Sequence, residues 1–189
     1  MLGRQLASAA FVLAAIAPLA LPAARAATPH VPQLRDQTGR AFTLTSLRGE
    51  PLLITFVSAH CTDACPLINA QFQQIEKQIA HAHLRVRLLT VTLDPEHDSP
   101  STMRRLARSF DADPTRWLMA SGNARDVHAV MHAFNVVARR DRRGYADVHS
   151  TFVYLLDRHG VLRVTMLASS IMTAEVLETV THKWRVLTR

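Results

Sequence analysis

Two cysteines and ten histidines are the residues of this 189-residue chain best suited to thiol or soft-metal chemistry. Both cysteines fall in one short block, Cys61-Thr62-Asp63-Ala64-Cys65-Pro66. The block follows an apolar run, and its proline suits the first turn of a helix. The unpaired N–H groups and dipole at a helix start favour anions, a setting that suits thiolates. Four residues apart across one turn, the two Cα atoms can fall within the roughly 4.4–6.8 Å window of a disulfide. The same spacing lets both sulfurs share one soft ion. A purely structural disulfide is the weaker reading, because closing so short a loop removes little chain entropy. Structural zinc needs four ligands, and the sequence offers no second Cys or His knuckle.

The elements around the block must hold it in place. Residues 52–57 form a continuous apolar run after Gly49-Glu50-Pro51, the pattern of a strand buried on both faces. Residues 66–80 follow with Leu67, Phe72, Ile75 and Ile79 at roughly helical spacing. A second buried strand is expected over 86–93, then a helix capped by Ser99 and opened by Pro100, a strand over 117–120 and a helix over 123–134. Strands over 136–139, 151–156 and 161–167 and a closing amphipathic helix over 173–187 complete the reading. Before all of these, Asp36-Gln37-Thr38-Gly39 marks the turn of a small hairpin. Alternating strands and helices predict an α/β sandwich with a largely parallel central sheet flanked by helices, plus the N-terminal hairpin.

The composition narrows the class. Hydrophobic residues make up 48% and charged residues 20% of the chain, which excludes both a disordered polymer and a multispan membrane protein. Residues 6–24 are uncharged, follow Arg4 and end in Ala24-Arg25-Ala26, the pattern of a cleavable export signal. The expected organisation is therefore a signal peptide over 1–26 and one domain over 27–189, soluble in the periplasm. The rival is an uncleaved helix anchoring the chain to the inner membrane, since this run comes close to the roughly 20 residues that span a bilayer. Lys and Arg number 22 against 15 Asp and Glu, a formal charge of +7. Cleavage removes two arginines and no acid, so the mature chain stays basic. No basic stripe with interleaved aromatics appears, so nucleic acid is not an expected partner. Export also places the cysteine pair in an oxidising compartment, where a disulfide, a redox couple and a metal site all stay open.

Strand, turn, cysteine pair and helix is also the thioredoxin-like arrangement. Members of that fold place a cis-proline loop opposite the cysteines, yet the last proline here is Pro114. Where that loop would stand, the sequence reads Asp147-Val148-His149-Ser150, so His149 is expected to face the sulfurs. Two thiolates and one imidazole suit copper: thiolate selects Cu(I), and nitrogen helps hold Cu(II). The other histidines read as surface or packing residues, including the pair His128 and His132 on one helix face and His81 and His83 at a helix end. His60 either points away or tunes the neighbouring thiol. Asp94 and Asp98 read as turn and cap residues, the run Arg139-Arg140-Asp141-Arg142-Arg143 as a solvated turn with a docking patch for an acidic redox partner as the alternative, and the methionines as core.

Four blocks in this order and spacing resemble the Sco/SenC family: Cys61-Thr62-Asp63-Ala64-Cys65-Pro66; Val91-Thr92-Leu93-Asp94-Pro95-Glu96-His97-Asp98-Ser99-Pro100; Trp117; and Tyr145 with Asp147-Val148-His149-Ser150-Thr151 and Leu156-Asp157-Arg158-His159-Gly160. The resemblance implies a monomeric thioredoxin-like copper chaperone with Cys61, Cys65 and His149 as ligands. Such a protein would take copper from a periplasmic donor and help assemble the copper A centre in the copper-bearing subunit of cytochrome c oxidase. Ser58-Ala59 depart from the Tyr-Thr pair common in the family. The alternative is an enzyme, a thiol–disulfide reductase that keeps partner cysteines reduced, with Cys61 as nucleophile and Cys65 as resolver.

Overall fold

The computed structural model describes residues 30–62, 64–148 and 151–168, together with 176, 178 and 179. The expected signal segment 1–26, His149 and most of the expected helix over 173–187 lie outside the described residues. The strands are β1 (Leu34–Arg35), β2 (Ala41–Phe42), β3 (Leu52–Val57), β4 (Arg87–Thr92), β5 (Trp117–Gly122), β6 (Ala138–Arg140), β7 (Ala146–Val148), β8 (Phe152–Leu156) and β9 (Leu162–Leu167). The helices are α1 (Ala64–His81), α2 (Pro100–Ser109) and α3 (Ala124–Ala133). Seven strands form one sheet in the order β2-β1-β5-β4-β3-β8-β9, and β6 and β7 form a separate hairpin. Pairing is parallel through the centre, β5-β4-β3, as expected. Toward both edges it is antiparallel, so antiparallel pairings outnumber parallel ones over the whole sheet. For strands consecutive in sequence the reason is connection length: helices cross over between the central strands, whereas β1 to β2 and β8 to β9 are joined by tight turns.

Side-chain alternation divides the sheet between two cores. Leu52, Ile54 and Phe56 of β3 join Leu89 and Val91 of β4 and Leu118 and Ala120 of β5 on one face, covered by Val127, Val130 and Met131 of α3. Leu53, Leu88, Trp117 and Met119 point to the other face, which α1 covers with Ile68, Phe72, Ile75 and Ile79 and α2 with Met103 and Ala107. Each of the Val, Leu, Ile, Phe and Met side chains contributes about 1.5–3 kcal/mol by leaving water. Several buried polar groups are paired across this core. Trp117 Nε1 donates to Thr90 Oγ1 at 3.0 Å. The Gln37 amide donates to Trp117 O at 2.8 Å and accepts from Met119 N at 2.9 Å, taking the place of a strand residue beside β5.

Helix starts follow the sequence signals. Ser99 caps α2 by accepting from Thr102 N, with Pro100 at the first position, and Asn123 caps α3 by accepting from Asp126 N at 2.9 Å. In the β1–β2 turn, Gly39 has φ +92°, and Asp36 accepts from the amides of Thr38 and Arg40. Among the described residues no helix is long and apolar enough to cross a membrane.

Candidate metal centre

Because β3 and β4 run parallel, the segments leaving them emerge at the same end of the sheet. The β3 segment turns at once: Cys61 N donates to Ser58 O at 3.2 Å and His60 N to Ser58 Oγ at 3.3 Å. Cys61 is half-buried in this turn, whereas Cys65 lies in the first turn of α1 and is 2% exposed. Helix α1 starts two residues earlier than the apolar periodicity implied, which places Cys65 inside it.

The β4 segment holds this turn in place. Asp98 is fully buried, and its Oδ2 accepts from Ala59 N at 3.0 Å and from Thr92 Oγ1 at 2.7 Å. A carboxylate thus fixes the backbone two residues before Cys61. Ser121 Oγ donates to the Asp98 carbonyl, tying in β5. His60 Nδ1 lies 3.3 Å from Asp98 Oδ1, but the two are not aligned as a hydrogen bond, and neither atom has a hydrogen-bond partner among the described residues.

Asp94 does the corresponding work for the β6–β7 hairpin. It is fully buried, and its carboxylate accepts from Ala146 N at 2.8 Å and Arg140 Nη1 at 3.2 Å, while His97 Nδ1 lies 2.9 Å from both oxygens. Burial pushes this carboxyl group upward, but those donors outweigh it and hold it below the ordinary carboxylate range. Arg140 also donates to Glu96 at 2.9 Å and to Gly144 O at 2.7 Å. The hairpin therefore rests against the cysteine turn. The Tyr145 ring stacks on His60 with centroids 4.1 Å apart and planes 12° apart, and it meets the edge of His97 at 4.7 Å. The Arg143 guanidinium covers Tyr145 at 5.5 Å.

Several sequence expectations change here. Asp94 and Asp98 are more than turn and cap residues: each is a buried tie between segments distant in sequence. The arginine run is a strand and turn anchored to Asp94 and Glu96 through Arg140, instead of a purely solvated loop. His60 points toward Asp98 and Tyr145. The His60–Tyr145–His97 cluster went unrecognised, and its only sequence signal was the position of His60 beside Cys61. Of the three expected ligands, Cys61 and Cys65 are brought to one loop-and-helix start, and His149 lies outside the described residues. Among the described residues no three His, Cys, Asp or Glu side chains converge to hold a metal.

The model of the SCO1/SenC family matches residues 24–185. The chain belongs to that family. The SCO2-like protein of Rickettsia typhi is 27% identical to it over 133 residues, covering 68% of this chain and 64% of that protein. The matched part of this SCO1/SenC chain thus spans just under two thirds of that relative's length. The structure of Bradyrhizobium japonicum ScoI with copper bound is 30% identical, with a TM-score of 0.63 over 80% of this chain and 98% of that one. The structure of BsSco, a member of the Sco family of cytochrome c oxidase assembly proteins in which a disulfide switch was identified, has a TM-score of 0.69 at 20% identity. It covers 79% of this chain and 89% of that one, a likeness of fold.

Proposed function

We propose that this chain is an exported copper chaperone that holds one copper ion through Cys61, Cys65 and His149. It takes the ion from a periplasmic donor and passes it to the copper-bearing subunit of cytochrome c oxidase as the copper A centre is assembled. The observation that carries this reading is the contact between the two segments that bear the donors. His60, next to Cys61, stacks on Tyr145 of the hairpin that leads toward residue 149. On the far side of residue 149 the chain returns beside β3, where Thr55 Oγ1 donates to Phe152 O at 3.2 Å and Thr55 pairs with Val153. From Val148 to Thr151 the chain spans about 10 Å at most. Both ends of that span belong to the end of the sheet where Cys61 emerges, which supports a histidine ligand from this stretch. The copper-bound Bradyrhizobium relative supports the choice of ion.

Two thiolates favour Cu(I), and the imidazole extends the set to Cu(II). The unequal exposure of the two sulfurs gives the transfer an order. Half-buried Cys61 is the ligand an incoming thiolate can displace first, while buried Cys65 holds the ion until exchange is complete. Copper titration of the reduced protein should give one tight copper per chain, lost in Cys61→Ser and in Cys65→Ser. His149→Ala should weaken Cu(II) more than Cu(I). Unchanged binding in all three variants would refute the site. Delivery from the periplasm follows from the export signal read over residues 1–26. Recovery of the processed chain in the soluble periplasmic fraction tests that, and recovery with the inner membrane would favour an uncleaved anchor.

The same difference in exposure favours one second reading, a thiol–disulfide reductase. The Cys61 thiolate attacks a partner disulfide, forming a mixed disulfide and releasing one partner thiolate. Cys65 then attacks the Cys61 sulfur, releasing the second partner thiolate and leaving Cys61 and Cys65 joined and oxidised. Turnover of a partner disulfide by copper-free His149→Ala protein would support this reading over copper transfer.

A further inference from the structure

A groove of about 380 Å³ lies between α3 and the base of the β6–β7 hairpin, on the core face opposite α1 and α2. His128 and His132, both exposed, line it together with Met131, Val136 and Arg140. The two histidines are four residues apart on α3, so their side chains stand one above the other on the same helix face. Two imidazoles at this spacing can each turn a ring nitrogen to a common ion at about 2.0–2.1 Å, the geometry that His-x-x-x-His pairs on helices use for metals. From this placement we infer a second metal site on the protein, a surface site for one Cu(II) ion held by His128 and His132 and completed by water.

Three features favour it over a purely packing role for these histidines. First, both exposed histidines line the groove, while the inward positions of α3 are filled by Val127, Val130 and Met131. Second, the cationic side chain that lines the groove is already compensated. Arg140 is committed to Asp94, Glu96 and the Gly144 carbonyl, so its charge is largely offset beside the groove. Third, the donor set of two neutral nitrogens plus water matches the tetragonal preference of Cu(II), and of the first-row divalent ions Cu(II) binds such sites most strongly. The other exposed pair, His81 and His83, is less suited. His81 ends α1 and His83 lies beyond it at φ +53°, so the two rings do not share a helix face. The groove and the cysteine turn flank the same hairpin, since Ala146 lines the groove and Tyr145 stacks on His60. The inference is independent of the ligand set proposed for the thiol centre.

The test uses the full-length mature chain with Cys61→Ser and Cys65→Ser, which removes the thiol site, titrated with Cu(II) and followed by electron paramagnetic resonance and calorimetry. One Cu(II) per chain with a two-nitrogen signature is expected. His128→Ala and His132→Ala should each weaken it by at least about tenfold, as the loss of one of two donors requires. His81→Ala with His83→Ala should leave it unchanged. Both substituted positions are exposed, and an unaltered urea midpoint will show that each variant folds. No Cu(II) bound to the double-serine protein, or binding insensitive to both α3 histidines, would overturn the site. Loss of binding only in the His81/His83 variant would overturn it too.

Discussion

Replacing Asp94 by alanine removes the tie that docks the β6–β7 hairpin beside the cysteine turn. The carboxylate serves the Ala146 amide, His97 and Arg140 from a fully buried position. A hydrogen bond to a charged group is worth about 1.5–3 kcal/mol net, and a buried donor left without a partner costs about 1–3 kcal/mol. The Arg140 contribution is small because that side chain is half-exposed and keeps Glu96. The buried amide of Ala146 and the His97 contact dominate, and removing the charge recovers part of its desolvation cost. The expected destabilisation is about 3 kcal/mol, or roughly 6–12 °C in melting temperature for a domain of this size. Urea unfolding followed by tryptophan fluorescence measures the total, and amide hydrogen exchange at Ala146 reports the hairpin. The sign of the pH dependence follows from the lowered folded pKa of Asp94. Its stabilisation is fully present above the unfolded carboxylate value near about 4 and is lost as pH falls through the lower folded value. The gap between wild type and Asp94→Ala should therefore stay constant from pH 7 to about 5 and close below about 4. A gap under about 1 kcal/mol at pH 7, with unchanged exchange at Ala146, would refute the docking role.

Burial raises the Glu76 carboxyl group to about 7, only partly offset by the Asp113 amide at 3.0 Å. Its protonated form stabilises the fold below the unfolded value, and that stability is lost as pH rises through about 7. Glu76→Gln should accordingly gain on the order of 2–3 kcal/mol over wild type at pH 8 and nothing at pH 4.5, as chemical denaturation at the two pH values will show. Trp117→Phe should cost about 2 kcal/mol, part of it for Thr90 left without its donor. A double-mutant cycle with Thr90→Val measures that share, and strict additivity would disprove the coupling. Tyr145→Leu keeps bulk under the hairpin but removes the ring stacked on His60. It should change stability by less than about 1 kcal/mol yet speed alkylation of Cys61, and an unchanged alkylation rate would show that the stack does not restrain the cysteine turn.

Strand and helix types were legible in the sequence wherever burial imposes a period. Leu52–Val57 is apolar throughout because a central strand is covered on both faces. The caps Ser99 and Asn123 were legible because they satisfy amides of their own helices, a local matter. Strand β7 was not legible: Ala146–Val148 follows an arginine-rich turn and a glycine, with no alternation to mark it. Its pairing with β6 is fixed by the Asp94 carboxylate, 52 residues away in sequence.

The sequence by itself determined that two thiols stand close together where a buried strand gives way to a helix, since their spacing and the apolar run before them are local matters. It also determined the central α/β alternation, because apolar period and chain connectivity leave few other arrangements. Only the tertiary structure decided which polar side chains are embedded ties. Asp94 and Asp98 look like ordinary turn residues along the chain, and they become fixed anchors because the parallel pairing of β3 and β4 brings the cysteine turn to their end of the sheet. A buried carboxylate needs donors, and in this fold those donors come from segments that meet only once the sheet has formed.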